Sequence, residues 1–402
     1  MTATLTAENA PAKLKLPGAG TRIEVRVRSA DYKQITKAYR YRLYPTKRQI
    51  EALNEQLGFA CDLYNAALEQ RRDWWKRGRS TGFYEQCREL TDVQRPEGMN
   101  RMVQEDVLRR LDRAFQAFFR RLKAGEKAGY PRFRSRRRYD TLTWRRKKGG
   151  AAIRNNRLRL QGIGHVKVRW HRDLPSEPLT TTVRRMASDK WYVTFAIKVD
   201  AKPLPRTGQD VGLDLGISTF AACSNGEMVR GPRATRAAEK DLRRANRRLH
   251  RRKRGSNRRA KARAQLAKQH EHIANQRRDH AHKSARALVD RFDTIYVEDL
   301  NVAGMGRNRT LARDIHDQGW AQFLAILRAK AEEAGREVVA VNPRNTSQLC
   351  SSCGELVPKP LSQRVHRCDC GYEADRDVNA ARNVLAAGRV AQARTVGVPA
   401  VV

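Results

Sequence analysis

The chain has 402 residues, 40% of them hydrophobic, and sets 83 Lys plus Arg against 42 Asp plus Glu for a formal net charge of +41. That length supports two or three domains with a sizeable core, and the apolar fraction excludes a chain disordered throughout. Self-repulsion at +41 works against a compact state, so a polyanion is expected as a constitutive partner, and nucleic acid fits best because each neutralised phosphate releases a condensed counterion.

Residues 1–20 are rich in Ala, Thr, Gly and Pro without an apolar period and read as a disordered tail. No signal peptide is visible, and no apolar run approaches the roughly 20 residues of a spanning helix. The expected location is cytoplasmic, nucleoid-associated and prokaryotic, with no membrane partner. From Thr21 the chain alternates, with Ile23, Val25 and Val27, then Tyr39, Tyr41 and Leu43, reading as strands that end at Tyr44-Pro45-Thr46. Thr46 caps a helix whose apolar positions are Ile50, Leu53, Leu57, Ala60 and Leu63. The pair Trp74-Trp75 is expected in a core. A second helix over about 100–123 carries Val103, Val107, Leu108, Leu111, Phe115, Phe118 and Phe119, so that 47–125 reads as a small helical domain. In Gly129–Arg138, arginines interleave with Tyr130 and Phe133, as phosphate contact combined with base stacking requires. Strand-like runs at 152–160, 165–170, 179–186 and 190–199 point to a β-barrel, and Pro203 and Pro205 mark a linker.

From 210 the pattern becomes α/β, with strands at 210–215, 219–223, 294–298 and 337–341 and helices at about 318–335 and 376–387. Between them, residues 231–290 hold twenty Lys/Arg against five Asp/Glu over a long helical stretch. Three segments each bring one carboxylate to a strategic point. In Asp210–Gly216, Asp214 lies on one strand face between Gly212 and Gly216, which leave space around it. In Thr294–Leu300, an apolar run ends in Glu298, as in a strand whose carboxyl end faces a site. In Asp375–Val384, Asp377, Ala380, Ala381 and Val384 share a helix face, with Asp375 as N-cap. Taken singly, each acid also reads as a turn, loop or cap residue. Together, three carboxylates suit two-metal phosphodiester hydrolysis, in which ions roughly 3.5–4 Å apart stabilise attacking and leaving oxygens. Oxygen donors match Mg²⁺ or Mn²⁺.

The seven cysteines include four in one short stretch, Cys350, Cys353, Cys368 and Cys370, each pair followed by Gly. Four thiolates make a closed, structural zinc site, although the second pair is separated by only one residue, and His366 is an alternative ligand. The odd count and the clustering favour a metal site over a disulfide framework.

Val211–Ile217, Val297–Asn301, Ser347–Gly354 and Asp375–Ala381, with Tyr41–Pro45 and Gly129–Phe133 upstream, resemble the TnpB family in order and spacing over about residues 36–390. This family is the transposon-encoded relative of type V CRISPR effectors. The resemblance implies a multidomain α/β plus β-barrel protein. An RNase H-like RuvC nuclease domain (206–344 and 372–390) would carry a zinc-ribbon insertion (345–371). An N-terminal wedge-type β-barrel (21–46 and 126–205) would hold an inserted helical recognition lobe (47–125), and 391–402 would form a tail. It implies a guide RNA that pairs with one strand of a double-stranded target DNA beside a short flanking motif. It also implies Asp214, Glu298 and Asp377 as the catalytic acids, and Arg101 and Gln104 as contributors to motif reading. Tyr130, Arg132, Phe133 and Arg134 then become nucleic-acid contacts, and the 234–290 helices a wall for the heteroduplex. The competing expectations are a compact CRISPR effector and an RNA-guided repressor without cleavage. A transposase would order its acids Asp, Asp, Glu, and a purely structural RNA-binding protein would leave the acids without purpose.

Overall fold

The computed structural model describes residues 33–145, 150–307, 311–360 and 362–396. It also gives the backbone of two paired strands, β1 (Ala12–Lys13) and β2 (Glu24–Val25). Apart from those strands, the tail expected over 1–20, the alternation at Ile23 and Val27, and residues 397–402 lie outside the described residues. The chain divides into two compact units, one of residues 36–199 with 263–268, the other of the residues up to 35, 200–262 and 269 onward.

In the first unit, β3 (Gln34–Tyr44) feeds α1 (Lys47–Lys76) through a reciprocal cap. Thr46 Oγ1 accepts the Gln49 N–H at 3.3 Å while Gln49 Oε1 accepts the Thr46 N–H at 3.0 Å, satisfying two donors that a helix start otherwise leaves orphaned. A short α2 (Phe83–Glu89) and α3 (Arg101–Lys123) follow, α3 capped by Asn100 Oδ1 from the Met102 N–H at 2.8 Å. The remaining strands are β4 (Thr141–Arg145), β5 (Ala151–Arg154), β6 (Arg157–Leu160), β7 (Gly164–Arg169), β8 (Thr180–Arg185) and β9 (Trp191–Asp200). They join β3 in a seven-stranded sheet of order β4-β8-β9-β3-β7-β6-β5. The run read as one strand over 152–160 is a hairpin, because Asn155 and Asn156 take left-handed φ of 46° and 59°, the signature of a two-residue turn. One apolar core, including Tyr41, Leu57, Leu68, Val107, Leu111, Leu142, Trp144 and Phe195, runs through both helices and sheet. Trp75 is 71% exposed and Trp74 half-buried, so the expectation that this pair lies in a core fails. The pair stands in the last turn of α1, beyond the helix's buried positions, which end at Arg71.

The second unit is built on a five-stranded sheet of order β12-β11-β10-β13-β14. Its strands are β10 (Asp210–Asp214), β11 (Ala221–Cys223), β12 (Met228–Val229), β13 (Thr294–Glu298) and β14 (Glu337–Val341). β10, β13 and β14 are parallel, while β11 and β12 are antiparallel additions. Against one face pack α6 (Asn257–Arg291) and α9 (Trp320–Glu333), through Ala285, Leu288, Phe323 and Leu327 onto Val211, Leu213, Ile295 and Val297. Helix α10 (Arg376–Val396) covers the other face, where Val384 meets Tyr296 and Val341. The basic stretch is not one helix. It breaks into α4 (Ala234–Ala237), α5 (Glu239–His250) and α6, because Gly255 takes φ 85° and Ser256 caps a fresh start. Shorter α7 (Val302–Met305) and α8 (Ala312–Gln318) lead to Gly319, whose φ of 69° ends α8. Between β14 and α10 lies a small module containing β15 (Val365–Arg367) and β16 (Glu373–Asp375).

Candidate active site and metal centre

Strands β10 and β13 run side by side with Leu213 opposite Val297, so Asp214 and Glu298 end neighbouring parallel strands at the same edge. Helix α10 starts beside them and presents Asp377 in its first turn. Asp375 takes the capping place, its Oδ1 accepting the N–H groups of Asp377 at 2.8 Å and Val378 at 3.2 Å. Ala380, Ala381 and Val384 are buried against the sheet, as their spacing implies. Gly212 has a different task from the one expected. A Cβ there would lie 2.1 Å from the Ala381 carbonyl oxygen and 2.7 Å from the Leu385 nitrogen, so this glycine admits the α10 backbone rather than clearing space beside Asp214. Gly388 does the same further along, against the Tyr296 ring.

All three carboxyls lie above their ordinary range, and Asp214 feels the other two. Burial, then the charges of Glu298 and Asp377, push the Asp214 carboxyl up to about 8, with Arg376 opposing. Burial also raises Glu298, against the Thr346 hydroxyl that donates to its Oε1 at 2.6 Å. Asp377 is raised by burial and by Asp375, while Arg364 and Arg376 pull it down. Such a group of carboxyls, each held above its ordinary range by burial, is stable as anions only with cations among them. Sequence reasoning passed over two of the basic neighbours. Arg364 donates to Ser218 Oγ at 3.0 Å and faces Asp377. Arg376, buried, donates to the Pro360 carbonyl at 2.8 Å. Nothing in their spacing separates them from the chain's many other arginines.

The four cysteines come together with all sulfurs within 4.8 Å of one another. Cys350 and Cys370 are 3.8 Å apart, and Cys353 and Cys368 3.6 Å. A tetrahedral ion with Zn–S bonds of about 2.3 Å needs sulfurs about 3.8 Å apart, so the set fits zinc. The short second knuckle still closes. Its Gly371 takes φ 83° and donates to the Cys368 carbonyl at 2.9 Å, as Gly354 (φ 80°) does to Cys350. His366 lies outside this set, fully buried with Nδ1 2.6 Å from Lys359 Nζ. Helix α10 is tied to the module by two asparagines. Asn379 accepts the Ser351 N–H at 2.9 Å and donates to the Leu349 carbonyl at 2.7 Å. Asn383 donates to the carbonyls of Thr346 and Leu349.

Of the residues expected to contact nucleic acid, Tyr130, Arg132, Phe133 and Arg134 are exposed. Arg101 is half-buried and donates to the Cys87 carbonyl. Gln104 is fully buried on the core-facing side of α3 between Val103 and Val107, so its side chain does not face solvent.

A family profile described as "Probable transposase" matches residues 193–309, one described as "Cas12f1-like, TNB domain" matches 320–384, and a "Helix-turn-helix domain" profile matches 35–80. In the structure that last region is β3 followed by the single long helix α1. The fold is shared with the protein of a Cas12f1–sgRNA–target DNA complex, with TM-score 0.59 and 14% identity over 87% of this chain and 98% of that one. A protein of Escherichia coli K12 named "Putative RNA-guided DNA endonuclease InsQ" is 29% identical over 88% of this chain and 92% of its own length. Another, of Streptomyces pristinaespiralis, named "Putative RNA-guided DNA endonuclease", is 34% identical over 90% of this chain and 91% of its own. Related along nearly its whole length to these proteins, the chain belongs to the TnpB family.

Proposed function

We propose that this protein is an RNA-guided DNA endonuclease whose nuclease centre is Asp214, Glu298 and Asp377. The observation that carries this reading is the convergence of three carboxyls from β10, β13 and α10, with the Asp214 carboxyl pushed up to about 8 by burial and by the other two. Their hard oxygen donors fit Mg²⁺ or Mn²⁺. Divalent cations there supply Lewis-acid stabilisation of the charge that builds on a phosphoryl group during hydrolysis. The chain's own part is to hold the three acids in place. Thr346 orients Glu298, the Asp375 cap fixes the helix start that carries Asp377, and Arg364 stands beside Asp377 as a cation facing the same edge. Zn²⁺ held by Cys350, Cys353, Cys368 and Cys370 is structural and, through Asn379 and Asn383, sets the register of α10.

Family membership and the fold support the finer organisation. Residues 206–344 with 372–390 form an RNase H-like RuvC domain interrupted by the zinc module at 345–371. The wedge barrel is 21–46 with 126–205, and the recognition lobe is 47–125. The partners are a guide RNA and double-stranded target DNA. Tyr130, Arg132, Phe133 and Arg134 contact nucleic acid, with Arg101 as a contributor from α3. No described helix is long and apolar enough to cross a membrane. A repressor without cleavage has no need of three carboxyls held together above their ordinary range.

The test is to purify the protein with its bound RNA and sequence that RNA. Matching DNA with randomised flanks is then offered with Mg²⁺ to wild type and to Asp214→Ala. Guide-dependent cutting that disappears in the variant supports the reading. Specific target binding without cutting by the wild type would move the assignment to a repressor, and the absence of any defined RNA would remove the guided mechanism.

A further inference from the structure

Lys359 lies between the two cysteine pairs, 6% exposed, and among the described residues no carboxylate pairs with it. A buried cation without an anion beside it is costly. Its Nζ meets three acceptors, His366 Nδ1 at 2.6 Å and the carbonyls of Gln348 and Val357, each at 3.4 Å. An ammonium has three protons and no lone pair, so three acceptors suit its charged form. The backbone is tied down as well. Gln348 Oε1 accepts the Lys359 N–H at 2.9 Å, and Gln348 Nε2 donates to the Lys359 carbonyl at 3.3 Å. Gln348 stands two residues before Cys350, so the lysine is fixed to the first knuckle.

The lysine decides the tautomer of His366. Nδ1 accepts from Lys359, so the proton of the neutral ring sits on Nε2. That Nε2 is buried and has no nitrogen or oxygen partner. The ring stands beside Cys350 and acts on its sulfur as a hydrogen-bond donor, together with the N–H groups of Cys353 and Ser352. Cys350 is buried, whereas Cys353 and Cys370 are exposed and can take further hydrogen bonds from water. Four thiolates around one Zn²⁺ leave a surplus of two negative charges, and at the buried sulfur that surplus is least screened. Burial, then Arg376, hold the Lys359 ammonium below its ordinary range, while charge on Cys350 and Cys368 pulls it back up.

We propose that Lys359 and His366 form a relay that supplies the thiolate centre with counter-charge: Lys359 donates to His366 Nδ1, and His366 Nε2–H donates to the Cys350 sulfur. Both are positioning residues, and neither is a metal ligand. The inference rests on the reading of the four cysteines as a zinc site. It gives the buried lysine its missing anion and the orphaned Nε2 its acceptor, and it gives the buried thiolate a donor that water cannot supply. A ligand held in this way keeps its metal longer, because the orienting partner of a metal ligand fixes its geometry and tunes its basicity.

The experiment follows zinc release from the full chain to an excess of a chromogenic chelator, and the absorption spectrum of the Co²⁺-loaded chain. Lys359→Met keeps the length and apolar stem of lysine, and His366→Phe keeps a ring. Each should release zinc about tenfold faster than wild type. The sulfur-to-cobalt charge-transfer band should move to longer wavelength in both, because a thiolate that loses a donor gives up its electrons more readily. The double variant should release zinc no faster than the faster single one, since a relay broken at either end is already lost. Arg367→Met is the control. It removes a charge next to Cys368 whose side chain is 72% exposed and paired with Glu373, and it should leave both readouts near wild type. Should His366→Phe fail to fold, Lys359→Met carries the test alone. Wild-type release by the relay variants would overturn the proposal, as would multiplied effects in the double variant or an equal effect of Arg367→Met. Faster release with an unmoved cobalt band would reduce both residues to packing and overturn it as well. A wild-type chain that holds no zinc and takes up no Co²⁺ would instead remove the zinc reading itself.

Discussion

Replacing Gly212 by alanine tests how α10 brings the third carboxyl to the sheet. The added methyl would sit 2.1 Å from the Ala381 carbonyl oxygen, 2.7 Å from the Leu385 nitrogen and 2.9 Å from the Leu385 Cβ. Two of those three atoms are helix backbone, so rotating a side chain cannot relieve the contact. Restoring a normal separation of about 3.5 Å requires α10 to retreat by more than about 1 Å. Overpacking of this kind costs about 1–3 kcal/mol. The rigid neighbours place Gly212→Ala near the top of that range, which still leaves a folded protein if its stability lies in the usual span of about 5–15 kcal/mol. Asp377 stands one turn before Ala381 on the same helix, so the retreat carries its carboxyl away from Asp214. A misplacement of about 1 Å can reduce a rate about 10²-fold. Denaturant unfolding should show a lower midpoint at unchanged slope, single-turnover cleavage should fall by about that factor, and zinc content should stay at wild-type level. Gly216→Ala is the comparison, since its Cβ would meet the Thr219 oxygen at 3.0 Å and an Asp377 oxygen only at 3.9 Å, so it should lose less stability. A Gly212→Ala protein with wild-type midpoint and wild-type cleavage would show that α10 does not lie against β10 as described.

The raised Asp214 carboxyl ties stability to pH. Its folded value, about 8, lies above the ordinary 3.8, so the folded state holds the proton more tightly and this group's contribution is lost as pH rises from about 4 to 8. Metal-free Asp214→Asn should therefore exceed wild type in stability at pH 8 by a few kcal/mol, with the gap closing towards pH 4; parallel pH profiles for the two proteins would refute the electrostatic account. Added Mg²⁺ should stabilise wild type and leave Asp214→Asn unmoved, read as a thermal shift. Asn379→Ala strips buried partners from Ser351 and Leu349 and should cost about 2–4 kcal/mol, hasten zinc loss to a chelator and slow cleavage; a variant that keeps its zinc and its rate would separate α10 from the module. Cys353→Ser should lower zinc content and cleavage together, and full-rate cutting by zinc-free protein would make the module dispensable.

The sheet of the second unit was legible because buried parallel strands read as continuous apolar runs: Thr294–Glu298 and 337–341 were placed to the residue, and Asp210–Asp214 to within one. The end of α1 was not, since Arg72–Lys76 has no apolar period to signal that the helix continues. Gly212 shows a subtler limit. Alternation puts it on the same face as Asp214 but does not say whether a helix or a ligand fills the space. The acids and thiolates were singled out as sets, and the structure brings each set together, whereas Arg364 and Arg376 are invisible among 83 basic residues until the fold places them beside Asp377. Gln104 was named from the resemblance alone, and only the packing of α3 shows that its side chain is buried.

The asparagine ties between α10 and the cysteine module bear on how the protein is made. During synthesis, β10 and β13 emerge well before the cysteines, and Asp377 leaves the ribosome after them. Two of the three acids can thus be folded into the sheet while the third is still unmade, and α10 then docks onto the cysteine module through Asn379 and Asn383. On the proposed reading, a nascent chain without an ion at its cysteines would carry every residue of the nuclease centre without the geometry to use them, and metal supply would decide when a newly made molecule becomes able to cut.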